Sequence, residues 1–259
     1  MKSRVQSAFT LIELLLAFAV LSLLLILLAQ AVGAVQQTWL SGVARIDNFS
    51  KARVILGMID RDLQSAVLRP DLAAFLDENG NPACAFYTQI SGVNGNRRLS
   101  LVRYSQTNFA TNAVFRRADY GLDFSTNSMT LATTNKLPDL AKAVEQEVAE
   151  GVLRFEWQFV AADGTFQPGY RFDYTNPEAS SNTRSVIISL LALDDRAIKI
   201  GSETGKLDAL LQKFSGTPAT GQTYASLWNA VIQNPSFSAG LPAPLTGGVR
   251  VFERHYPLH

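Results

Sequence analysis

"SAFTLIELLLAFAVLSLLLILLAQ", residues 7–30, is an apolar run broken by one charge, and that charge decides how the chain is read. From Leu14 to Ala29 the only polar residue is Ser22. Widened to Phe9–Val35, the run adds only Thr10, Glu13 and Gln30 as further polar side chains. A helix of that length rises about 40 Å at 1.5 Å per residue, enough to cross a hydrocarbon core of about 30 Å. Lys2 and Arg4 precede it, which places the N-terminus in the cytoplasm and the rest of the chain outside. Two plain readings compete. A secretory signal peptide would be cut at a small-residue site such as Ala29-Gln30-Ala31. A permanent signal anchor would keep the whole span. Neither accounts for Glu13, because an acidic side chain inside a span costs roughly 2.5–3.5 kcal/mol even on the lenient insertion scale.

Downstream, the apolar run passes into an amphipathic pattern. Val43, Ile46, Phe49, Leu56, Ile59, Leu63 and Val67 recur at helical steps, with Arg45, Asp47, Lys51, Arg53, Asp60 and Asp62 between them. Pro70 closes the stretch. The pattern predicts one helix from Leu11 to Leu68, with soft points at Gly33, Gly42 and Gly57. Val43, Ile46, Phe49, Leu56, Ile59 and Leu63 form the face expected to dock on a sheet.

After Pro70 the texture becomes short strands and turns. Cys84–Ile90 and Arg98–Ser105 are strand candidates, and Ser128–Thr133 is a weaker one. Asn79-Gly80-Asn81-Pro82 and Asn94-Gly95-Asn96 mark turns. Leu140, Val144 and Val148 suggest a short helix from Asp139 to Glu150, stopped by Gly151. Leu153, Phe155, Trp157 and Phe159 alternate as one face of a strand, and Asp163-Gly164 gives a turn. Val186–Leu193 is nearly all apolar and reads as a strand covered on both faces. Two helical patterns follow, Leu207, Leu210, Leu211, Phe214 and then Leu227, Trp228, Val231, Ile232, before a closing strand over Gly248–Tyr256.

Composition bounds the function classes. The chain has 259 residues, 47% hydrophobic and 17% charged, and a formal net charge of +1. That fits a folded protein and leaves no basic patch for nucleic acid. Cys84 is the single cysteine, so the core must supply the stability that an intrachain disulfide would otherwise add.

Ala8-Phe9-Thr10-Leu11-Ile12-Glu13 ahead of an apolar helix resembles the cleavage and methylation signature of type IV prepilins and type II secretion pseudopilins. The resemblance implies a cut between Ala8 and Phe9 by prepilin peptidase, N-methylation of Phe9, and Glu13 as the fifth residue of the mature chain. The family usually carries Gly before the cut, and Ala8 stands there instead. The new α-amine at Phe9 would offer the Glu13 of a neighbouring subunit a cation. A buried carboxylate is tolerable with such a partner and penalised without one, so the pair would set subunit register. Leu14, Phe18, Leu24 and Leu28 would belong to the membrane anchor. Met58–Pro70, with its Asp60-Arg61-Asp62-Leu63 core, is similar to the helix end of J-type minor pseudopilins, and so is the order Glu150-Gly151-Val152 to Arg184–Ile188. The overall layout also resembles the Verru_Chthon cassette protein C family.

The expected architecture is therefore α+β and pilin-like. It has a leader at 1–8, a membrane-spanning helix half at 9–37 and an amphipathic half at 38–70. A β-rich domain follows at 71–259, with a helical insertion at 197–246. The resemblance implies a minor structural subunit of a secretion or pilus-like filament. It would be a single-pass protein of a bacterial inner membrane, its soluble domain outside the cytoplasm. Its partners would be the membrane, prepilin peptidase and other pilin-type subunits, with no nucleic acid and no cofactor. Two other functions stay open: a surface binding or adhesion module that uses the signal for display, and an enzyme released by ordinary signal cleavage. Catalysis and metal binding are not expected. Proline 257 breaks the helical spacing of His255 and His259. Asp77–Asn81 starts like a calcium loop, but Pro82 stands where such a loop needs Gly. Asp194-Asp195 reads as a solvated strand end.

Overall fold

One helix, α1 (Leu11–Gln64), opens the described chain and runs 54 residues without interruption through Gly33, Gly42 and Gly57. The computed structural model describes residues 11–67, 76–78, 81–93, 98–107, 113–122, 144–168 and 183–258. The chain divides into two units, Met1–Ala44 and Arg45–His259. The expected strand at Ser128–Thr133 and the turn residues Asn79-Gly80 and Asn94–Asn96 lie outside the described residues.

Among the described residues of the first unit, α1 has no tertiary core. Leu14, Phe18, Leu24 and Leu28 are each more than half exposed, like the other large apolar side chains around them. The stretch Leu11–Leu40 is long and apolar enough to cross a membrane, and none of its described side chains is buried.

The second unit holds two antiparallel sheets. The first is a meander of β1 (Leu76–Glu78), β2 (Asn81–Thr88), β3 (Ser100–Thr107), β4 (Val114–Gly121) and β5 (Val144–Ala149), in that order. The second contains β6 (Val152–Ala161), β7 (Phe166–Pro168), β8 (Thr183–Leu193) and β9 (Val249–Pro257), ordered β7-β6-β8-β9. Four short helices fall between β8 and β9: α2 (Asp195–Glu203), α3 (Leu207–Gln212), α4 (Tyr224–Gln233) and α5 (Ala243–Gly247). The two helical patterns seen in the sequence correspond to α3 and α4.

β8 shows why its apolar run is continuous. Val186, Ile188 and Leu190 pack into a core with Ile55, Leu56 and Ile59 of α1 and Phe86, Phe115 and Phe155 of the sheets. The alternate residues Leu191 and Leu193 join a second core with Leu207, Leu210, Trp228 and Leu245 of the short helices. Both faces of the strand are thus covered, and a two-residue period puts apolar side chains on each.

Four expectations need correction. The predicted helix at 139–150 is strand β5 over 144–149, paired with β4 through Arg117↔Gln146 and Ala118↔Glu145. Its glutamates meet arginines: Glu147 lies 2.7 Å and Glu145 3.6 Å from Arg116. That pairing overrides local helix preference. Gly151 does not stop a helix. It joins β5 to β6 at φ +79°, where a Cβ would lie 2.4 Å from the Leu193 carbonyl. Leu153 leaves the face shared by Phe155, Trp157 and Phe159, because the β6–β8 register shifts between Val152 and Arg154. Finally, α1 ends at Gln64 rather than Leu68. The chain then pairs with the end of β2, Val67 N–H donating to the Tyr87 carbonyl at 2.8 Å and Gln89 N–H to the Ser65 carbonyl at 2.7 Å.

Candidate functional site

The first candidate site is the start of the chain. Ala8 and Phe9 lie outside the described residues, and Glu13 stands exposed on α1. The helix satisfies its own polar side chains farther along. The Ser22 hydroxyl donates to the Phe18 carbonyl at 2.5 Å, and Thr38 to the Ala34 carbonyl at 3.0 Å. Such back-bonding lets a hydroxyl sit in an apolar medium without a bare donor.

The second candidate is the polar clasp that holds α1 in the second unit. Its rungs climb the helix. Asn48 Nδ2 donates to the Gly248 carbonyl at 2.9 Å. Lys51 Nζ reaches Asp195 at 2.5 Å and Asp47 at 3.0 Å. The Tyr256 hydroxyl donates to the Leu56 carbonyl at 2.7 Å. Arg254 pairs with Asp60 at 2.7 Å. At the top, Asp62 is wholly buried and accepts from the Tyr104 hydroxyl at 2.5 Å and from Arg117 Nε at 2.8 Å. Arg117 also donates to Asp119 at 3.1 Å.

The electrostatics of that top rung follow from burial. Burial pushes the Tyr104 phenol well above its ordinary value, and the neighbouring Asp62 carboxylate pushes it further. Burial works against the Arg117 charge, but its bonds to Asp62 outweigh it and the guanidinium stays firmly protonated. The cluster therefore holds a fixed charge pair in a dry place. Such a pair adds little net stability and costs roughly 3–5 kcal/mol when one partner is removed.

Sequence reading missed most of this clasp. The helical pattern sets Asp62 among the charged residues between the apolar positions, yet it faces the core. Val43, Ile46 and Phe49 were assigned to the docking face, yet they are 49%, 71% and 64% exposed. Phe49 keeps one edge-on contact with Phe252, ring centroids 5.3 Å apart. The buried face is Asn48, Ala52, Ile55, Leu56, Ile59, Asp62 and Leu63. Asp194 is buried rather than solvated and caps α2, accepting from Ala197 N–H at 2.8 Å. The signal for Asp62 was available: it lies three residues after Ile59 and seven after Ile55, on their face.

His255 lies on strand β9 beside Glu253, not on a helix, and His259 is outside the described residues. Among the described residues no group of three or more His, Cys, Asp or Glu side chains gathers as a metal site would require.

Residues 3–29 match the family model described as the prokaryotic N-terminal methylation motif. No curated protein matches the chain. The protein is thus prepilin-like at its N-terminus, with a long apolar helix and a pilin-like α+β fold behind the motif.

Proposed function

We propose that the protein is a membrane-anchored structural subunit, a minor pilin or pseudopilin, of a type II secretion or type IV pilus-like filament. The observation that carries this reading is a continuity. A prepilin-type motif at residues 3–29 leads into a single helix that is bare for its first thirty residues and then gripped by two sheets. A helix bare on every side needs another medium, first lipid and then the helices of neighbouring subunits. In this reading residues 1–8 are a leader, removed by prepilin peptidase between Ala8 and Phe9. Phe9 becomes N-methylated, Leu14, Phe18, Leu24 and Leu28 belong to the anchor, and the soluble domain lies outside the inner membrane.

Glu13 then works as a register device. Its carboxylate meets the Phe9 α-amine of a neighbour, and any other register leaves a charge unpaired in an apolar core. The large second unit, with α2–α5 inserted before β9, favours a minor position, since bulky domains crowd a tightly packed shaft. In this reading the layout after the helix is J-type-like, a reading supported by the resemblance of Met58–Pro70 to the helix end of J-type pseudopilins. The fold serves assembly and not catalysis.

Intact mass of the protein from cells with an active prepilin peptidase tests the reading. The expected mass lacks Met1–Ala8 and gains one methyl group. A chain that keeps Met1, or one that begins at Val32, would overturn it. Copies per filament test the finer claim, and a number near that of the main shaft subunit would sink the minor role.

A further inference from the structure

We propose that Trp39 is an interfacial anchor for the lipid headgroup layer on the outer side of the membrane, and that it sets the depth at which Glu13 sits before assembly. The inference rests on the membrane-span reading above. No charge occurs between Glu13 and Arg45. That uncharged length of α1 rises about 46 Å, against a hydrocarbon core of about 30 Å and a full bilayer of about 40–45 Å. The helix is too long for hydrocarbon alone, so part of it lies among headgroups.

Side-chain chemistry says which part. Leu14–Val35 is apolar apart from Ser22 and Gln30, and Ser22 is back-bonded to its own helix. It rises about 33 Å and matches the hydrocarbon core. Gln36, Gln37 and Thr38 follow, and buried amides without partners are costly. Trp39 comes next and is 73% exposed. An indole has an apolar body and one N–H donor, and it settles where hydrocarbon meets water. Trp39 and Glu13 lie about 39 Å apart along the axis, close to the thickness of a whole bilayer. With Trp39 at the outer headgroups, Glu13 sits at the cytoplasmic headgroups in contact with water. The carboxylate therefore stays solvated in the membrane and loses its water only when the subunit leaves the bilayer for a filament.

The test uses the full chain in phosphatidylcholine–phosphatidylglycerol vesicles. Tryptophan fluorescence is quenched by lipids brominated either near the headgroup or near the chain end. The Trp39 contribution is the difference between the parent and a Trp39→Leu chain, since Trp157 and Trp228 belong to the second unit. Quenching of that difference by the shallow bromine should exceed quenching by the deep bromine at least twofold. Equal or stronger quenching by the deep bromine overturns the anchor, as does quenching by aqueous iodide alone. A second measurement reads Glu13. In a Cys84→Ala background, Glu13→Cys should react with a water-soluble maleimide within about threefold of Arg45→Cys. Leu24→Cys should react at least tenfold more slowly. A Glu13→Cys chain as slow as Leu24→Cys overturns the depth claim. A parent chain that fails to float with vesicles defeats the span reading itself, a different outcome from either quenching result.

Discussion

Two lengths of one helix carry the same residue types to opposite fates. Leu24 and Leu28 of α1 are 56% and 61% exposed, while Ile55 and Ile59 of the same helix are fully buried. The difference lies in the partners. Around Ile59 stand Phe86, Phe115, Phe155 and Ile188 from two sheets. Around Leu24 the described residues supply no such cover. An apolar side chain therefore marks a need for cover, and its surroundings decide whether protein, lipid or another subunit meets that need.

The hardest way to break the comparison is to remove the cover. A soluble fragment from Thr38 onward should fold alone. One ending before Thr246 should not, because it loses β9, which pairs with β8 from Ser185↔Pro257 to Leu193↔Val249. The shortened fragment should be insoluble, its central strand left as an open apolar edge. Sedimentation and circular dichroism check this, and a soluble, folded short fragment would contradict it.

The next effect is at Asp62. Asp62→Ala removes the acceptor of the Tyr104 hydroxyl and leaves the buried Arg117 charge to Asp119, and should lower the unfolding free energy of the soluble fragment by about 3–5 kcal/mol. Urea titration reads it, and a change below about 1 kcal/mol would show that the pair is solvated.

Matched truncations sharpen the contrast directly. Ile59→Ala should destabilise the second unit by about 2–5 kcal/mol through lost burial and a cavity. Leu24→Ala in the full chain should leave the unfolding of that unit unchanged. Equal losses from both would mean that the first half of α1 has protein cover after all.

Alkaline pH should act only on the second unit. Burial raises the Tyr87 phenol from 10.0 to about 12, and Tyr104 and Tyr256 are also pushed up, chiefly by burial. A raised folded pKa favours the protonated form in the fold. This stability is fully present below pH 10 and declines as pH rises through the folded values. For Tyr87 alone the loss between pH 10 and 12 is about 3 kcal/mol. Urea midpoints should be flat from pH 8 to about 9.5 and fall steeply above it. A midpoint that rises there would refute the assignment.

Glu13→Val should have the smallest effect on stability and the clearest one on assembly. It leaves the second unit untouched and makes the span more apolar. Membrane insertion should persist while recovery with neighbouring filament subunits falls. Unchanged co-purification would remove the register role.

Some elements were legible in the sequence because their pattern had one solution. An apolar run of nearly thirty residues can only be a helix in lipid or a fully covered one. Val186–Leu193 could only be a strand with two covered faces. The segment around Val144 and Val148 was ambiguous, since a spacing of four suits both a helical turn and alternate strand positions. The choice fell to Arg116 and Arg117 on β4, which are distant in sequence. The docking face of α1 was misplaced for a related reason. At about 100° per residue, Phe49, Ile46 and Val43 point about 80°, 140° and 160° away from Ile59, so all three lie off the side that Ile55 and Ile59 bury.

By itself, then, the sequence determined the long apolar helix with its single acid, and the presence of a β-rich domain with a run of helices before its last strand. These follow from local period, length and charge, which act along the chain. Tertiary structure alone decided that β5 is a strand, that Leu153 changes face, and that Asp62 is the buried anchor of α1. Each of those depends on a partner far away in sequence: Arg117 and Tyr104 for Asp62, β4 for β5, and the shifted β6–β8 register for Leu153. Burial of a charge is decided by where its counter-charge arrives, and no local pattern records that arrival.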